Sequence, residues 1–438
     1  MTAEEGWSGR RTVALQTVGC KLNQAETDSL ARDLLASGHR VVPVEDTPDI
    51  YLLNTCTVTH VADHKCRKLL RQAHRNNPDA LIIAAGCYAE RAPEELGGIE
   101  GVGLVVPNGD KDRLGNIVSA ALVGLGSRKH RRKNASAPLR TRALIKVQEG
   151  CSRPCTYCIV PRVRGPERSR PRDEIAAEIR HVVEEGYREI ILTGTRIGQY
   201  NCEGGLKALV ELVLGTPGLQ RLRLSSLEPA DLNPELLRLW ADPRLCPHIH
   251  LPLQSGSDLV LERMARPYST AEYMRAVSLA RDAIPNLAVT TDILVGFPGE
   301  TAQEFASSYG FCQSAGFAAI HVFPYSARPG TRAARMPGAV EGTERKRRLK
   351  MMLDLARASR EHYQSRFLGE AMDVLWEDRK ENIWSGLTDN YLRILTSSPV
   401  ALSNRLLATN LVGHVEGALW GELASEKHES LSSRGIGL

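Results

Sequence analysis

The sequence contains, at residues 150–158, the stretch Gly150-Cys151-Ser152-Arg153-Pro154-Cys155-Thr156-Tyr157-Cys158. Its cysteines have CxxxCxxC spacing, so three thiolates in one loop can hold three irons of a 4Fe-4S cube and leave the fourth iron open. A structural zinc site is the alternative, but zinc takes a closed set of four ligands, and this loop has no fourth cysteine or histidine nearby. The stretch therefore predicts an iron-sulfur cluster whose open iron can bind a small chelating ligand.

The segments around this loop carry further motifs. Arg142 to Gln148 has the pattern of a β-strand that runs directly into the cysteines. The sequence resembles the methylthiotransferase branch of the radical S-adenosylmethionine (SAM) superfamily in Lys146-Val147-Gln148-Glu149-Gly150-Cys151, Cys155-Thr156-Tyr157-Cys158-Ile159-Val160-Pro161 and Arg164-Gly165-Pro166-Glu167-Arg168-Ser169-Arg170. The resemblance implies that SAM binds the open iron and is split by one electron to a 5'-deoxyadenosyl radical.

Length and composition indicate a chain of several domains. The 438 residues are 42% hydrophobic, which is enough for large cores and suggests about two or three domains. Met1 to Gly6 carries acidic residues and no apolar run, so we expect no secretory signal, no membrane span and a cytoplasmic protein. The ten cysteines would stay reduced there, which favours metal ligands over disulfides.

Three apolar runs near the amino terminus each close on a cysteine, namely Cys20, Cys56 and Cys87. A helical pattern follows each run, the first over Ala25 to Ser37, so the runs predict a parallel α/β sheet. Because the carboxyl ends of parallel strands meet at one edge, we expect the three thiols to lie close together. Any one of them could be an ordinary buried cysteine, but three at equivalent positions favour a second cluster.

The motifs around these cysteines support the same family. Gly19-Cys20-Lys21-Leu22-Asn23-Gln24-Ala25-Glu26-Thr27, Asn54-Thr55-Cys56 and Gly86-Cys87 resemble the cluster motifs of the methylthiotransferase amino-terminal domain. The resemblance implies a second 4Fe-4S cluster on these three cysteines. We interpret the remaining cysteines as structural or incidental: Cys66, Cys202, Cys246 and Cys312.

After the cysteine loop, apolar strand patterns alternate with helical patterns and make six strands with Arg142 to Gln148. The alternation predicts a wound sheet or barrel with its site at the carboxyl ends of the strands, and the resemblance makes it an open partial (βα)6 barrel. Polar segments follow these strands. The resemblance suggests SAM contacts at five of their residues: Thr193, Gly194, Ser226, Glu228 and Gln254. We expect no catalytic side chain beyond the cluster ligands.

The carboxyl-terminal part changes to short β patterns, at residues 371–376, 383–387, 391–395 and 411–419, after a long amphipathic helix whose apolar face includes Leu353. The segment Trp384 to Arg393 resembles the RNA-binding TRAM module, a small β-barrel. We expect a methylthiotransferase amino-terminal domain at 10–125, a basic linker at 126–141, a radical SAM domain at 142–368 and a TRAM-like domain with a tail at 369–438.

The linker and the adjoining Arg142 together contain seven Lys and Arg residues and no acid. A basic run is usually only solvated, but this one lies between two predicted cluster domains and could neutralise RNA phosphates. The family resemblance implies conversion of a C–H bond to C–S–CH3 with two SAM molecules, and the most similar branch is the MtaB type, which acts at carbon 2 of N6-threonylcarbamoyladenosine at position 37 of tRNA.

Other readings of the family remain open. One is methylthiolation of isopentenyladenosine in tRNA, another is modification of a ribosomal protein aspartate, and a third is a non-catalytic RNA-binding iron-sulfur protein. An enzyme of this type implies tRNA, an electron donor of the flavodoxin or ferredoxin type, and a sulfur donor as partners.

Overall fold

The computed structural model describes residues 11–124 and 141–424. The predicted basic linker, apart from Thr141, lies outside the described residues, and so do residue 10 and residues 425–438. No helix of the described part of the chain is long and apolar enough to cross a membrane.

The first unit is a five-stranded parallel sheet in the order β2-β1-β3-β4-β5. Its strands are β1 Thr12–Thr17, β2 Arg40–Val41, β3 Ile50–Thr55, β4 Leu81–Gly86 and β5 Val102–Val106. Its helices are α1 Lys21–Ala36, α2 His60–Asn76, α3 Cys87–Arg91, α4 Pro93–Gly97 and α5 Leu114–Gly124. Every residue of β3 is buried, because alternate side chains enter separate apolar clusters on the two faces of the sheet. The three predicted strands are confirmed, and β2 and β5 extend the sheet beyond them.

The first helix begins earlier than predicted. The leucine spacing suggested a start at Ala25, but α1 starts at Lys21, because Cys20 is its extended N-cap and Gln24 already donates its amide to the Cys20 carbonyl at 3.1 Å. This correction affects the site, because Cys20 and Lys21 lie at the amino end of a helix and not in a free loop.

The second unit is the predicted six-stranded partial barrel. Its elements comprise β6 Arg142–Lys146, a ribbon of β7 Gln148–Glu149 and β8 Arg168–Ser169, β9 Glu189–Thr193, β10 Arg221–Leu224, β11 His248–His250, β12 Ala288–Val295 and β13 Ala319–Pro324. The strand order is β6-β9-β10 and β11-β12-β13, and the bridges Leu222–Leu245 and Ser226–His250 join the two sheets. The barrel is thus open between β6 and β13.

Helices cover the outside of this barrel: α7 Arg172–Glu184, α8 Gly205–Leu214, α9 Pro234–Leu237, α10 Asp258–Arg263, α11 Thr270–Ala283, α12 Ala302–Ser314 and α13 Gly342–Ser365. The short helix α6 Val160–Arg164 follows the cysteine loop and lines the cavity described below. On the open side, α1 of the first unit packs against β6, where Ala25 forms an apolar cluster with Leu144 and Ile191. One expectation for α13 is wrong: Leu353 is 48% exposed, whereas Met352, Leu355 and Ala356 face the core.

The third unit is a closed β-barrel in the order β14-β15-β16-β18-β17. Its strands are β14 Ala371–Lys380, β15 Ile383–Thr388, β16 Arg393–Ser397, β17 Leu406–Val415 and β18 Ala418–Leu423. The single run predicted at residues 411–419 is wrong, because the chain turns at Glu416 and Gly417, where Gly417 has a φ of +69°, and two antiparallel strands result.

This β-barrel covers the amino ends of the strands of the second unit. Arg221 donates to the Asp373 and Leu387 carbonyls at 2.7 and 3.1 Å, and Arg142 pairs with Glu377 at 2.5 Å. Arg223 donates to the Asp389 carbonyl at 2.8 Å and holds Glu189 through two hydrogen bonds at 2.8 and 3.2 Å.

The side chains of Glu189 and Arg223 are both 0% exposed. Burial acts to raise the pKa of Glu189, but the adjacent Arg223 outweighs it and lowers that pKa, so the carboxylate is ionised. The second and third units therefore meet over a buried ion pair.

Candidate functional site

The cysteine loop of residues 150–158 lies next to the carboxyl end of β6, where the sequence predicts it. Gly150 has a φ of +78°, and a Cβ there would lie 1.9 Å from the Pro166 carbonyl oxygen, so this position requires glycine. The Cys151 amide donates to the Gly165 carbonyl at 2.9 Å, and the Ser152 amide donates to Glu167 at 2.9 Å. Backbone contacts thus hold the loop that presents the three thiols.

Two arginines and a carboxylate surround this loop. Arg266 donates to the Cys155 sulfur at 3.3 Å and to Glu228 at 2.9 Å, and Arg153 also pairs with Glu228. Burial raises the pKa of the Cys158 thiol to about 12. A thiol in such surroundings becomes a thiolate when a bound metal supplies the compensating charge, so the donor set fits an iron-sulfur cluster.

The three amino-terminal cysteines line one cavity of about 460 Å³, as predicted. A Cβ at Gly19 would lie 2.9 Å from the Cys56 Cβ, and a Cβ at Gly86 would lie 2.6 Å from the Asn54 Oδ1, so both glycines permit close approach of the neighbouring chain. Cys56 and Cys87 are buried, whereas Cys20 lies exposed at the N-cap of α1. Burial raises the pKa of Cys56 to about 12, and the three sulfurs again form a donor set that fits a cluster.

Side-chain amides support these cysteines. Asn23 donates to the Val18 and Thr55 carbonyls at 3.0 Å each, which ties α1 to the ends of β1 and β3. Asn108 donates to the Cys87 sulfur at 3.5 Å and was not predicted, because it follows a strand that the sequence pattern did not reveal. Cys66 donates to the Cys56 carbonyl at 3.6 Å and is buried, in agreement with a structural interpretation.

The helix α6 connects the two cysteine sets. It follows Cys158 directly, and its side chain Val163 packs with Ile159 against Cys87. Arg164 at its end donates to Asn23 at 2.6 Å and to Glu26 at 2.8 Å. Burial acts to raise the pKa of Glu26, but Lys111 and Arg164 outweigh it and hold this pKa well below its usual range. An ionised pair therefore joins the first unit to the barrel beside the cavity.

Three of the five predicted SAM contacts line the same cavity: Thr193, Gly194 and Ser226. The other two do not line it. Glu228 accepts a hydrogen bond from Arg266, which also donates to Cys155. Gln254 has a φ of +72°, and its backbone pairs with β12.

The barrel side of the cavity contains a polar chain in which Ser226 was predicted as a site residue and His250 and Asp292 were missed. Ser226 Oγ lies 2.7 Å from His250 Nδ1, and His250 Nε2 lies 3.1 Å from Asp292 Oδ1. His321 lies beside them, with its ring centroid 5.8 Å from that of His250. In the sequence these residues are single polar positions inside apolar strands. A strand that is buried on both faces is usually apolar throughout, so such positions could have indicated a site.

The third unit contributes Tyr391 to this cavity. Its ring stacks on His248 with a centroid distance of 4.5 Å, and the guanidinium of Arg223 lies 4.9 Å from the ring centre. The ammonium of Lys21 lies 5.6 Å from the same ring. All three units therefore meet at Tyr391.

Comparisons with known proteins agree with this architecture. Residues 145–312 match the sequence profile of the Radical SAM superfamily, and residues 12–106 match that of the uncharacterized protein family UPF0004. The radical SAM methyltransferase TsrM from Kitasatospora setae, solved with cobalamin and a 4Fe-4S cluster bound, has a TM-score of 0.57 at 16% identity, over 74% of this chain and 77% of that chain. At this identity the likeness shows the fold.

Curated relatives are similar over most of their length. The threonylcarbamoyladenosine tRNA methylthiotransferase MtaB of Bacillus subtilis is 37% identical over 405 residues, which cover 88% of this chain and 90% of that protein. The tRNA-2-methylthio-N(6)-dimethylallyladenosine synthase of Endomicrobium trichonymphae is 32% identical over 417 residues, which cover 93% and 99%. The chain belongs to the methylthiotransferase family of radical SAM enzymes.

Proposed function

We propose that this protein inserts a methylthio group at carbon 2 of N6-threonylcarbamoyladenosine at position 37 of tRNA. The observation that carries the proposal is the convergence of Cys20, Cys56 and Cys87 with the strand ends of the radical SAM barrel around one cavity. Transfer of sulfur to an unactivated carbon needs a radical source and a sulfur source that reach the same substrate atom. The Bacillus subtilis relative, at 37% identity, bears the name of a threonylcarbamoyladenosine tRNA methylthiotransferase.

The cofactors are two 4Fe-4S clusters and SAM, and when bound they supply the hydrogen-abstracting radical, the sulfur and the methyl group. We assign one cluster to Cys151, Cys155 and Cys158, and the other to the three cysteines of the cavity. The chain holds these thiols in place through its glycines and through side-chain amides. The amino-terminal set lines the cavity, and the segment that follows Cys158 packs against Cys87 through Ile159 and Val163.

For SAM we propose the strand-end residues of the barrel. Thr193, Gly194 and Ser226 line the cavity and are assigned to the cofactor directly. We also assign to SAM the carboxylate of Glu228, which Arg266 and Arg153 hold beside Cys155 and which could accept hydrogen bonds from SAM hydroxyl or ammonium groups. We also assign Gln254 to the SAM site, and its backbone is hydrogen-bonded to β12 through Asp292 and Leu294.

The polarity of the cavity favours the threonylcarbamoyl substrate over the isopentenyl one. The hydrogen-bonded chain of Ser226, His250 and Asp292 gives this side of the cavity a polar lining that suits the hydroxyl and urea of the threonylcarbamoyl group, whereas an isopentenyl group has no polar atom to place against it. Apolar side chains such as Val58 and Phe323 also line the cavity and suit a stacked base.

The exposed face of α2 is the described surface that best suits tRNA phosphates. It presents Lys65, Lys68, Arg71 and Arg75 to solvent, and the sole acid of this helix, Asp63, is buried against Arg328. Such a face supplies affinity for RNA independently of sequence. We propose that it acts together with the basic linker and the third unit.

We further propose an electron donor of the flavodoxin or ferredoxin type, a separate sulfur donor and a cytoplasmic location. The clusters must be reduced by one electron at a time, and sulfur must be replaced after each turnover. The domain boundaries at 10–125, 142–368 and 369–438 fit the three units and remain part of the proposal.

The test is methylthiolation by anaerobically reconstituted protein of three substrates, measured by mass spectrometry of nucleosides or peptides. They are an anticodon stem-loop with threonylcarbamoyladenosine, the same stem-loop with isopentenyladenosine, and a ribosomal protein carrying the target aspartate. We expect modification of the first. Preference for isopentenyladenosine would assign the protein to the second branch, and activity on the protein substrate alone would refute a tRNA function.

A further inference from the structure

Lys21 occupies an unusual position in the cavity. It is the first residue of α1 and directly follows the proposed ligand Cys20. Its side chain is half-buried and lines the cavity, with the ammonium 5.6 Å from the centre of the Tyr391 ring. The ammonium also lies within electrostatic reach of the imidazoles of His248 and His321.

The charges around Lys21 are matched without it. Arg223 is paired with Glu189, Arg142 with Glu377, and Arg164 with Glu26. Among the described residues, one lysine, Lys21, and one arginine, Arg164, line the cavity. Arg164 is paired with Glu26, whereas Lys21 has no carboxylate of the described residues at ion-pair distance. Asp292 is the carboxylate among the described residues that line the cavity, and it is hydrogen-bonded to His250, so Lys21 has no ion-pair partner there. A half-buried ammonium in this position suits an anionic partner.

We propose that Lys21 binds the carboxylate of the threonylcarbamoyl side chain and thereby selects the modified adenosine. The inference rests on the proposed function and names the residue that recognises its substrate. A lysine ammonium offers three donors to a carboxylate, and the neighbouring histidines offer further polar partners to the threonine hydroxyl.

The chemistry of the purine places this contact beside the reaction. Carbon 2 and carbon 6, which carries N6, flank the ring nitrogen N1, so a group carried on N6 and the carbon that receives sulfur lie on one edge of the base. Cys20 and Lys21 are likewise adjacent in the chain, at the end of one helix. A substrate held at Lys21 by its carboxylate thus has its carbon 2 near the cysteines of the first unit.

SAM also carries a carboxylate, so the experiment separates the two sources. Wild-type protein is given stem-loops with threonylcarbamoyladenosine or with its neutral primary amide, which has nearly the same shape. We expect kcat/KM to be at least about tenfold higher for the acid, the effect of one charge-assisted hydrogen bond of about 1.5 kcal/mol. Lys21→Gln should lower the value for the acid about tenfold and leave the value for the amide within about twofold, and Lys21→Arg should restore part of the loss for the acid.

The matched control is Lys207→Gln, because Lys207 lies exposed on α8 and pairs with Glu211 at 2.7 Å. Iron content, the Kd of the stem-loops and 5'-deoxyadenosine formation without RNA are measured for each variant. Equal kcat/KM of wild-type protein for acid and amide would overturn the inference, even if Lys21→Gln lost its clusters. Loss of RNA-independent SAM cleavage in an iron-replete Lys21→Gln protein would also overturn it, since the lysine would then serve SAM. Failure of wild-type protein on the acid together with activity on isopentenyladenosine would instead refute the proposed function.

Discussion

Replacing Glu189 by Gln should destabilise the interface between the radical SAM barrel and the third unit. The carboxylate and Arg223 are fully buried and joined by two hydrogen bonds, so the variant leaves the arginine charge uncompensated in the interior. Breaking such a pair costs about 3–5 kcal/mol. For a domain of this size each kcal/mol lowers Tm by roughly 2–4 °C, so we expect a decrease of about 6–20 °C in the transition of the barrel.

Thermal unfolding followed by circular dichroism measures this decrease, and the charged pair is tested by a double-mutant cycle with Arg223→Met. The double variant should be more stable than the sum of the two single effects predicts, because it removes both charges together. Lys207→Gln, which breaks an exposed pair, serves as the control and should change stability by less than about 1 kcal/mol. A Tm for Glu189→Gln equal to that of the control, or additive effects in the cycle, would refute the reasoning.

Three further predictions concern the clusters and the RNA. Reconstituted protein should contain about eight irons, and simultaneous replacement of Cys20, Cys56 and Cys87 by Ala should halve the iron found by colorimetric analysis; unchanged iron would place the second cluster elsewhere. Cys155→Ala should abolish 5'-deoxyadenosine formation, whereas Cys56→Ala should retain it and lose sulfur insertion, as chromatography of the products would show; a folded Cys56→Ala protein that keeps its barrel cluster but cannot cleave SAM would contradict this division. Neutralising the basic residues of the linker should weaken tRNA binding: Arg128, Lys129, Arg131, Arg132 and Lys133. The slope of log K for tRNA binding against log salt concentration should fall by roughly 0.7–0.9 per lost phosphate contact. Fluorescence anisotropy in a salt series measures this slope, and an unchanged slope would exclude these residues from the contact.

Local patterns in the sequence were sufficient for the parallel sheet and for the alternation of strands and helices, whereas the open form of the barrel and the small β-barrel were predicted from the family resemblance. Apolar runs that end in Cys20, Cys56 and Cys87 predicted a parallel sheet with its thiols at one edge, because strand direction alone determines where such ends meet. The start of α1 was predicted too late in the chain, because the prediction followed the spacing of leucines, and the first turn contains the polar residues Lys21 and Asn23. The turn at Gly417 was missed because the residues on either side of it continue the same apolar texture.

The contacts between units could not be predicted from the same patterns. Arg223 lies in a strand whose sequence gives no sign that its partners are Glu189 and a carbonyl of the third unit, which is remote in the chain. His250, Asp292 and His321 are each single polar residues, and only the closing of the sheet brings them together. Such contacts depend on how the sheets and units pack against one another. The apolar periodicity within a single strand contains no information about that packing.

The position of Tyr391 restricts how this enzyme can be re-engineered. A closed β-barrel such as the third unit invites use as an exchangeable module, moved between relatives. Here that module inserts an aromatic ring between Lys21, His248 and Arg223 at the base of the cavity. Hybrid enzymes would therefore need to keep Tyr391 together with its three neighbours, and a graft joined at Gly369 without them would change the lining of the cavity.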